Sequence, residues 1–109
     1  MPRKSTLPQL AKLAAALRDK ALLDLAATKR QKMATEDLLH ALGDRPAPLP
    51  EPSIAALQSG EHHESWRLER RALLNQRLAR DSARYLDAHQ KAATAFGRAA
   101  VLDQLAKKT

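Results

Sequence analysis

Between residues 61 and 109 apolar side chains return at steps of three, four or seven: Leu74, Leu78, Tyr85, Ala88, Ala92, Ala95, Ala99, Leu102 and Ala106. That period suits the seam of a long helix packed along another helix. The stretch holds no proline and a single glycine, Gly97, and at about 1.5 Å per residue it would reach roughly 70 Å. A second apolar line runs earlier in the chain, through Leu10, Ala14, Leu17, Ala21 and Leu25, widened by Leu13, Leu22 and Ala26. Its spacing is that of a straight helix face rather than a strict heptad. Ser5 or Thr6 is placed to cap this first helix, with Pro8 in its first turn. The pattern thins over 28–37, where Met33 and Ala34 stand among Lys29, Arg30, Lys32 and Glu36, so the middle of the helix is expected to be its weak point. Leu38, Leu39 and Leu42 restore the apolar face before Gly43 ends a helix of roughly 55 Å.

Pro46, Pro48, Pro50 and Pro52 alternate through 45–53. Proline at every second position forbids helix and gives an extended, stiff connector. After it Ser53 can cap a brief helix through Ile54, Leu57 and Gln58, broken at Gly60. The expected fold is therefore all-α: an antiparallel two-helix coiled-coil hairpin with a proline-rich connector. As one domain it comprises a first long helix within 1–44, the connector 45–53, a short helix 54–60 and a second long helix 61–109.

Composition agrees. Leucine and alanine dominate the apolar content, and one Trp, one Tyr and one Phe leave little for a thick core. The chain has no cysteine, hence no disulfide framework or thiolate chemistry, which fits a reducing cytoplasm. No stretch approaches the roughly 20 apolar residues of a membrane span, and the basic start lacks the uninterrupted apolar run of a secretory signal.

Charge changes the picture more. Nineteen Lys and Arg against 12 Asp and Glu give a formal +7, which suits an acidic partner: nucleic acid, anionic lipid or an acidic protein face. Five of the cations, Arg70, Arg77, Arg84, Lys91 and Arg98, stand seven residues apart along one flank of the second helix, interrupted by Glu69, Asp81, Asp87 and Asp103. Such a stripe can be the solvated flank of a coiled coil, since g positions commonly carry Lys or Arg, a docking face for an acidic protein, or a phosphate-binding face. Against nucleic acid stand the lack of a recognised DNA-binding motif and the scarcity of aromatics for stacking bases. An alanine-rich apolar face argues against a membrane-surface helix.

The chain contains no motif that identifies a reaction. His62 and His63 are adjacent, so on a helix they point about 100° apart and cannot share one ion. No HExxH, GxSxG or P-loop is present, and a two-helix hairpin offers no concave pocket to desolvate a substrate. No enzyme activity, metal or cofactor is expected. Trp66 is either a large knob against the returning helix or an exposed anchor beside Arg67. Gly97 interrupts a good helix former and would be explained by a close backbone approach or a bend.

Ala95-Phe96-Gly97-Arg98 followed by Leu102 and Leu105, after Trp66-Arg67 and Arg70-Arg71, resembles the FliJ/YscO family of coiled-coil proteins of flagellar and type III secretion export. The resemblance covers mainly residues 64–106 and the general plan of two helices. It implies a cytoplasmic, non-enzymatic antiparallel coiled coil that associates with the ring of the export ATPase and with the export gate. The chain departs from the family pattern in its shortness and its proline-rich turn.

Residues and resemblance together lead to an accessory protein binding a protein partner with an acidic surface. Trp66 and Phe96 would be apolar anchors, and Arg70, Arg77, Arg84, Lys91 and Arg98 would steer the encounter and fix register. The competing reading is a basic helical protein that binds nucleic acid non-specifically. Self-association through an exposed Leu/Ala seam is a further expectation, as are low stability alone and further ordering on binding.

Overall fold

The computed structural model describes residues 3–43 and 54–108. These form two helices, α1 (Arg3–Leu42) and α2 (Ile54–Lys108). The proline-rich segment 45–53 and the expected cap at Ser53 lie outside the described residues. The chain divides into two compact units: one joins α1 up to Arg30 with α2 from Ala83, the other spans Gln31 to Ser82.

In the first unit the inward side chains of α1 are Leu7, Ala11, Ala14, Arg18, Ala21, Leu25 and Thr28, and those of α2 are Tyr85, Ala88, Ala92, Ala95, Ala99, Leu102 and Ala106. Both lines alternate steps of four and three, the signature of a coiled-coil seam. The helices run antiparallel: Leu10 shares a groove with Val101, the Arg18 guanidinium lies 5.6 Å from the Phe96 ring centroid, and Asp24 acts electrostatically on Lys91. Among the described residues of this unit the buried apolar side chains are all alanine, namely Ala14, Ala88, Ala92 and Ala99. Methyl groups at facing positions let helix axes approach closely.

This seam corrects the sequence reading of α1. Ala14, Ala21 and Leu25 face inward as expected, but Leu10 and Leu17 remain 47% and 55% exposed on the side of the helix. The seam takes the strict heptad through Leu7, Ala11 and Arg18 instead, because its alternating four and three steps stay on the partner helix, and Leu10 and Leu17 stand one position off that line. On α2 every expected seam position is buried or half-buried.

In the second unit the seam turns polar. Its inward positions are Lys32, Thr35, Leu39 and Leu42 on α1, and Gly60, Glu64, Arg67, Arg71, Leu74, Leu78 and Asp81 on α2. Leu74 is the sole buried hydrophobic side chain among the described residues of this unit. Thr35, wholly buried, donates its hydroxyl proton to Asp81 Oδ2 at 2.6 Å. That hydroxyl has one proton, so its 3.2 Å contact with the Gln31 carbonyl is the weaker of the two. The thinned stretch of α1 thus carries a buried polar pair, and the helix continues through it.

Gly43 ends α1 with φ of 74°, a left-handed conformation that suits glycine, and its N–H donates to the His40 carbonyl at 3.1 Å. Its own carbonyl accepts from Arg67 Nη1 at 2.9 Å and Arg71 Nη2 at 2.6 Å. Two cations thereby sit at the negative end of the α1 dipole. Arg67 also grips the Glu64 carboxylate through Nε at 3.1 Å and Nη2 at 2.7 Å. These bonds hold the Glu64 carboxyl below its usual range, the hydrogen bond from Arg67 being the largest cause.

Two helix boundaries differ from expectation. α1 starts at Arg3, which leaves Pro8 beyond the first turn. α2 begins at Ile54 and passes through Gly60 without a break, so the short helix and the long one are a single element of 55 residues. One interior glycine costs about 1 kcal/mol relative to alanine, too little to outweigh the hydrogen bonds on either side.

Candidate partner-binding surface

The two seams fix where every other side chain of α2 points. Taking Tyr85, Ala92 and Ala99 as one seam row and Ala88, Ala95 and Leu102 as the other, Arg84, Lys91 and Arg98 occupy the flanking g positions of the first unit. Arg70 and Arg77 hold the same heptad position in the second unit. All five are exposed. The structure therefore turns them outward within each unit rather than burying them in the seam.

Their surroundings differ. Lys91 Nζ meets Asp87 Oδ2 at 2.9 Å, and this bond and charge, with a smaller contribution from Asp24, raise the lysine's pKa. Arg77 Nε lies 3.9 Å from Asp81 Oδ2. Arg70, Arg84 and Arg98 meet no acidic side chain at ion-pair distance among the described residues. Of the acids that interrupt the stripe in sequence, Asp81 is buried against Thr35, Asp87 is held by Lys91, and Asp103 is held by Lys107 at 3.1 Å. Much of the apparent interruption is thus consumed locally.

The two aromatic anchors behave differently from one another. Trp66 is 54% exposed and stacks on His63, ring centroids 5.9 Å apart, so it does not serve as a knob in the seam. With Arg70, Leu73 and Arg77 it follows spacings of four, three and four, forming one outward face of the second unit. Phe96 is 50% exposed beside Arg18. It stands two residues before Arg98, about 200° around the helix, so these two proposed contacts face nearly opposite ways.

What lies next to Arg98 is a feature the sequence reading missed. Leu10, Leu13 and Leu17 of α1 and Gly97 and Val101 of α2 line an open groove of about 550 Å³ in the first unit, with Arg98 at its edge. A Cβ added to Gly97 would meet nothing within 4 Å, so no close approach within the chain explains that glycine. The signal was present in the spacing: α1 carries one apolar line through 7, 11 and 14 and another through 10, 13 and 17, and a single partner helix can cover only one of them.

Among the described residues, no three His, Cys, Asp or Glu side chains come together as metal ligands, and no helix is long and apolar enough to cross a membrane. No family model matches the chain, and no curated protein or solved structure matches it.

Proposed function

We propose that this chain is a non-enzymatic coiled-coil accessory protein that engages an acidic protein partner through the g flank of α2, in the cytoplasm. The observation that carries this reading is the combination, in the first unit, of exposed Arg84 and Arg98 lacking an acidic partner among the described residues with large apolar side chains left half-open beside them. Unpaired cations around exposed leucines are what a surface keeps for something acidic and apolar in alternation. The partner we favour is a component of a flagellar or type III export apparatus, its ATPase ring or its export gate. Support for that choice is the resemblance at Ala95, Phe96, Gly97 and Arg98 with Leu102 and Leu105: Ala95 and Leu102 belong to the seam, while Gly97, Arg98 and Leu105 lie on the exposed surface.

The test is capture of a purified export ATPase or export-gate cytoplasmic domain by the full chain, with Arg84→Glu/Arg98→Glu as the discriminating variant. Loss of capture on charge reversal is expected, and unchanged capture would remove the basic flank from the interaction. A parallel titration with duplex DNA separates the competing phosphate-binding reading. Tight binding whose log affinity falls steeply and linearly with log salt would transfer the flank to nucleic acid.

A further inference from the structure

We infer that the groove between Leu10, Leu13 and Leu17 of α1 and Gly97 and Val101 of α2 seats one amphipathic helix of the partner protein, apolar on its inner face and acidic along the edge that meets Arg98. This deepens the proposed function and rests on it, since the occupant is taken to be a protein.

The shape of the groove argues for a helix. Its α1 wall repeats at seven residues, Leu10 to Leu17, and its α2 wall does the same, Thr94 to Val101. Both walls thus carry the coiled-coil period, which an incoming helix with leucines at i, i+3, i+4 and i+7 would match. The apolar walls are already exposed: Leu13 is 57%, Leu17 55% and Val101 56% accessible. Gly97 keeps the α2 wall low at the middle of the groove, because its missing side chain opens into space rather than toward the rest of the chain.

Charge identifies the occupant. Among the described residues, Arg98 is the sole charged one lining this groove. Arg84 and Lys91 continue its line at the heptad period, beside the adjoining depression between Leu17 and Ala88. Lys91 already shares its charge with Asp87 and Asp24, whereas Arg98 meets no acidic side chain at ion-pair distance among the described residues, Asp87 lining only a second adjoining depression with it. A second copy of this chain carries the same formal +7, so it offers this edge no complementary net charge. A helix edged with glutamate or aspartate meets the same groove with complementary charge.

The experiment uses the full chain and a fluorescein-labelled synthetic helix of about three heptads, with leucine at the inner positions and glutamate along the flanks. A companion peptide has lysine for every glutamate. Fluorescence anisotropy should detect binding of the acidic peptide and not of the basic one, weakening with added salt. Gly97→Leu fills the groove from an open position in a helix that leucine favours, so circular dichroism should show helicity retained. Gly97→Leu and Arg98→Glu should each weaken the acidic peptide by about tenfold or more. Equal binding of both peptides, no binding of either, or acidic-peptide binding indifferent to Gly97→Leu would overturn the inference. Dimerisation of the chain in sedimentation, abolished by Gly97→Leu, would also overturn it by assigning the groove to a second copy. Failure here is distinguishable from failure of the proposed function. If Arg84→Glu/Arg98→Glu abolishes capture of the export component and Gly97→Leu does not, the basic flank remains the docking face and the groove does not. If charge reversal leaves capture intact while Gly97→Leu blocks the peptide, the proposed function falls instead.

Discussion

Removing the Thr35 hydroxyl while keeping its shape should be among the most damaging single changes to the second unit. Thr35 is wholly buried and Asp81 is 5% exposed, and the 2.6 Å bond between them joins α1 to α2. Arg77 Nε lies 3.9 Å from that carboxylate and is itself exposed, so it compensates poorly. Thr35→Val therefore loses a charge-assisted hydrogen bond, worth about 1.5–3 kcal/mol net, and leaves a buried carboxylate short of a donor. Breaking a buried polar pair from one side costs about 3–5 kcal/mol where the surviving charge is wholly shielded. Taking the lost charge-assisted bond as the guide, we expect about 2–3 kcal/mol. Thr35→Val/Asp81→Leu removes donor and acceptor together, and apolar replacement of both members of such a pair is often neutral or stabilising. The double variant should regain most of the loss. Urea denaturation followed by circular dichroism, with parent, both single variants and the double variant completing the cycle, measures the coupling. A Thr35→Val variant within about 0.5 kcal/mol of the parent, or a double variant no more stable than Thr35→Val, would refute the reasoning.

Arg67→Ala removes a 2.9 Å bond to the Gly43 carbonyl and both bonds to Glu64, and should cost about 1.5–3 kcal/mol. Its specific sign is faster amide exchange at Gly43, and unchanged exchange would show that Arg71 alone suffices. Ala92→Leu places a bulky side chain where 5% of the alanine is exposed and should destabilise by about 1–3 kcal/mol, whereas Ala100→Leu, on the exposed side of α2, should change the urea midpoint little. The Glu64 carboxyl should titrate below the ordinary glutamate range by carbon-detected NMR, and Arg67→Ala should return it toward that range. Since its pKa is lowered by folding, the contribution of this group is present above the unfolded value and is lost as pH falls through the depressed one. A midpoint at or above the ordinary value would contradict the Glu64–Arg67 geometry.

From Leu74 onward the α2 seam was legible because leucine, tyrosine and alanine mark it without competition, and Asp81 was passed over as a polar residue inside an apolar repeat. The α1 seam was misread because the leucine-weighted face and the heptad differ by one position at two places: Leu10 and Leu17 stand beside Ala11 and Arg18, and the heptad keeps the latter inward, with Arg18 turned toward Phe96. The outward turn of Arg70, Arg77, Arg84, Lys91 and Arg98 followed from heptad arithmetic alone. Their pairing did not, because whether Asp87 neutralises Lys91, or Asp81 is withdrawn into the seam, depends on side-chain positions across and along the helices. The groove beside Arg98 was hidden by the same error that placed Leu10 and Leu17 in the core. The inward turn of Arg67 and Arg71 was unreadable, since its cause is the carbonyl of Gly43, a backbone atom that no side-chain pattern announces.

That carbonyl has a consequence for how the chain could be rewired. Arg67 and Arg71 are one helical turn apart and close on the same oxygen, so the vertical setting of α1 against α2 in this unit is written into a three-point clasp. Exchanging 44–53 for an unrelated sequence of comparable reach, or opening the chain there and joining its ends elsewhere, should leave Thr35 still opposite Asp81.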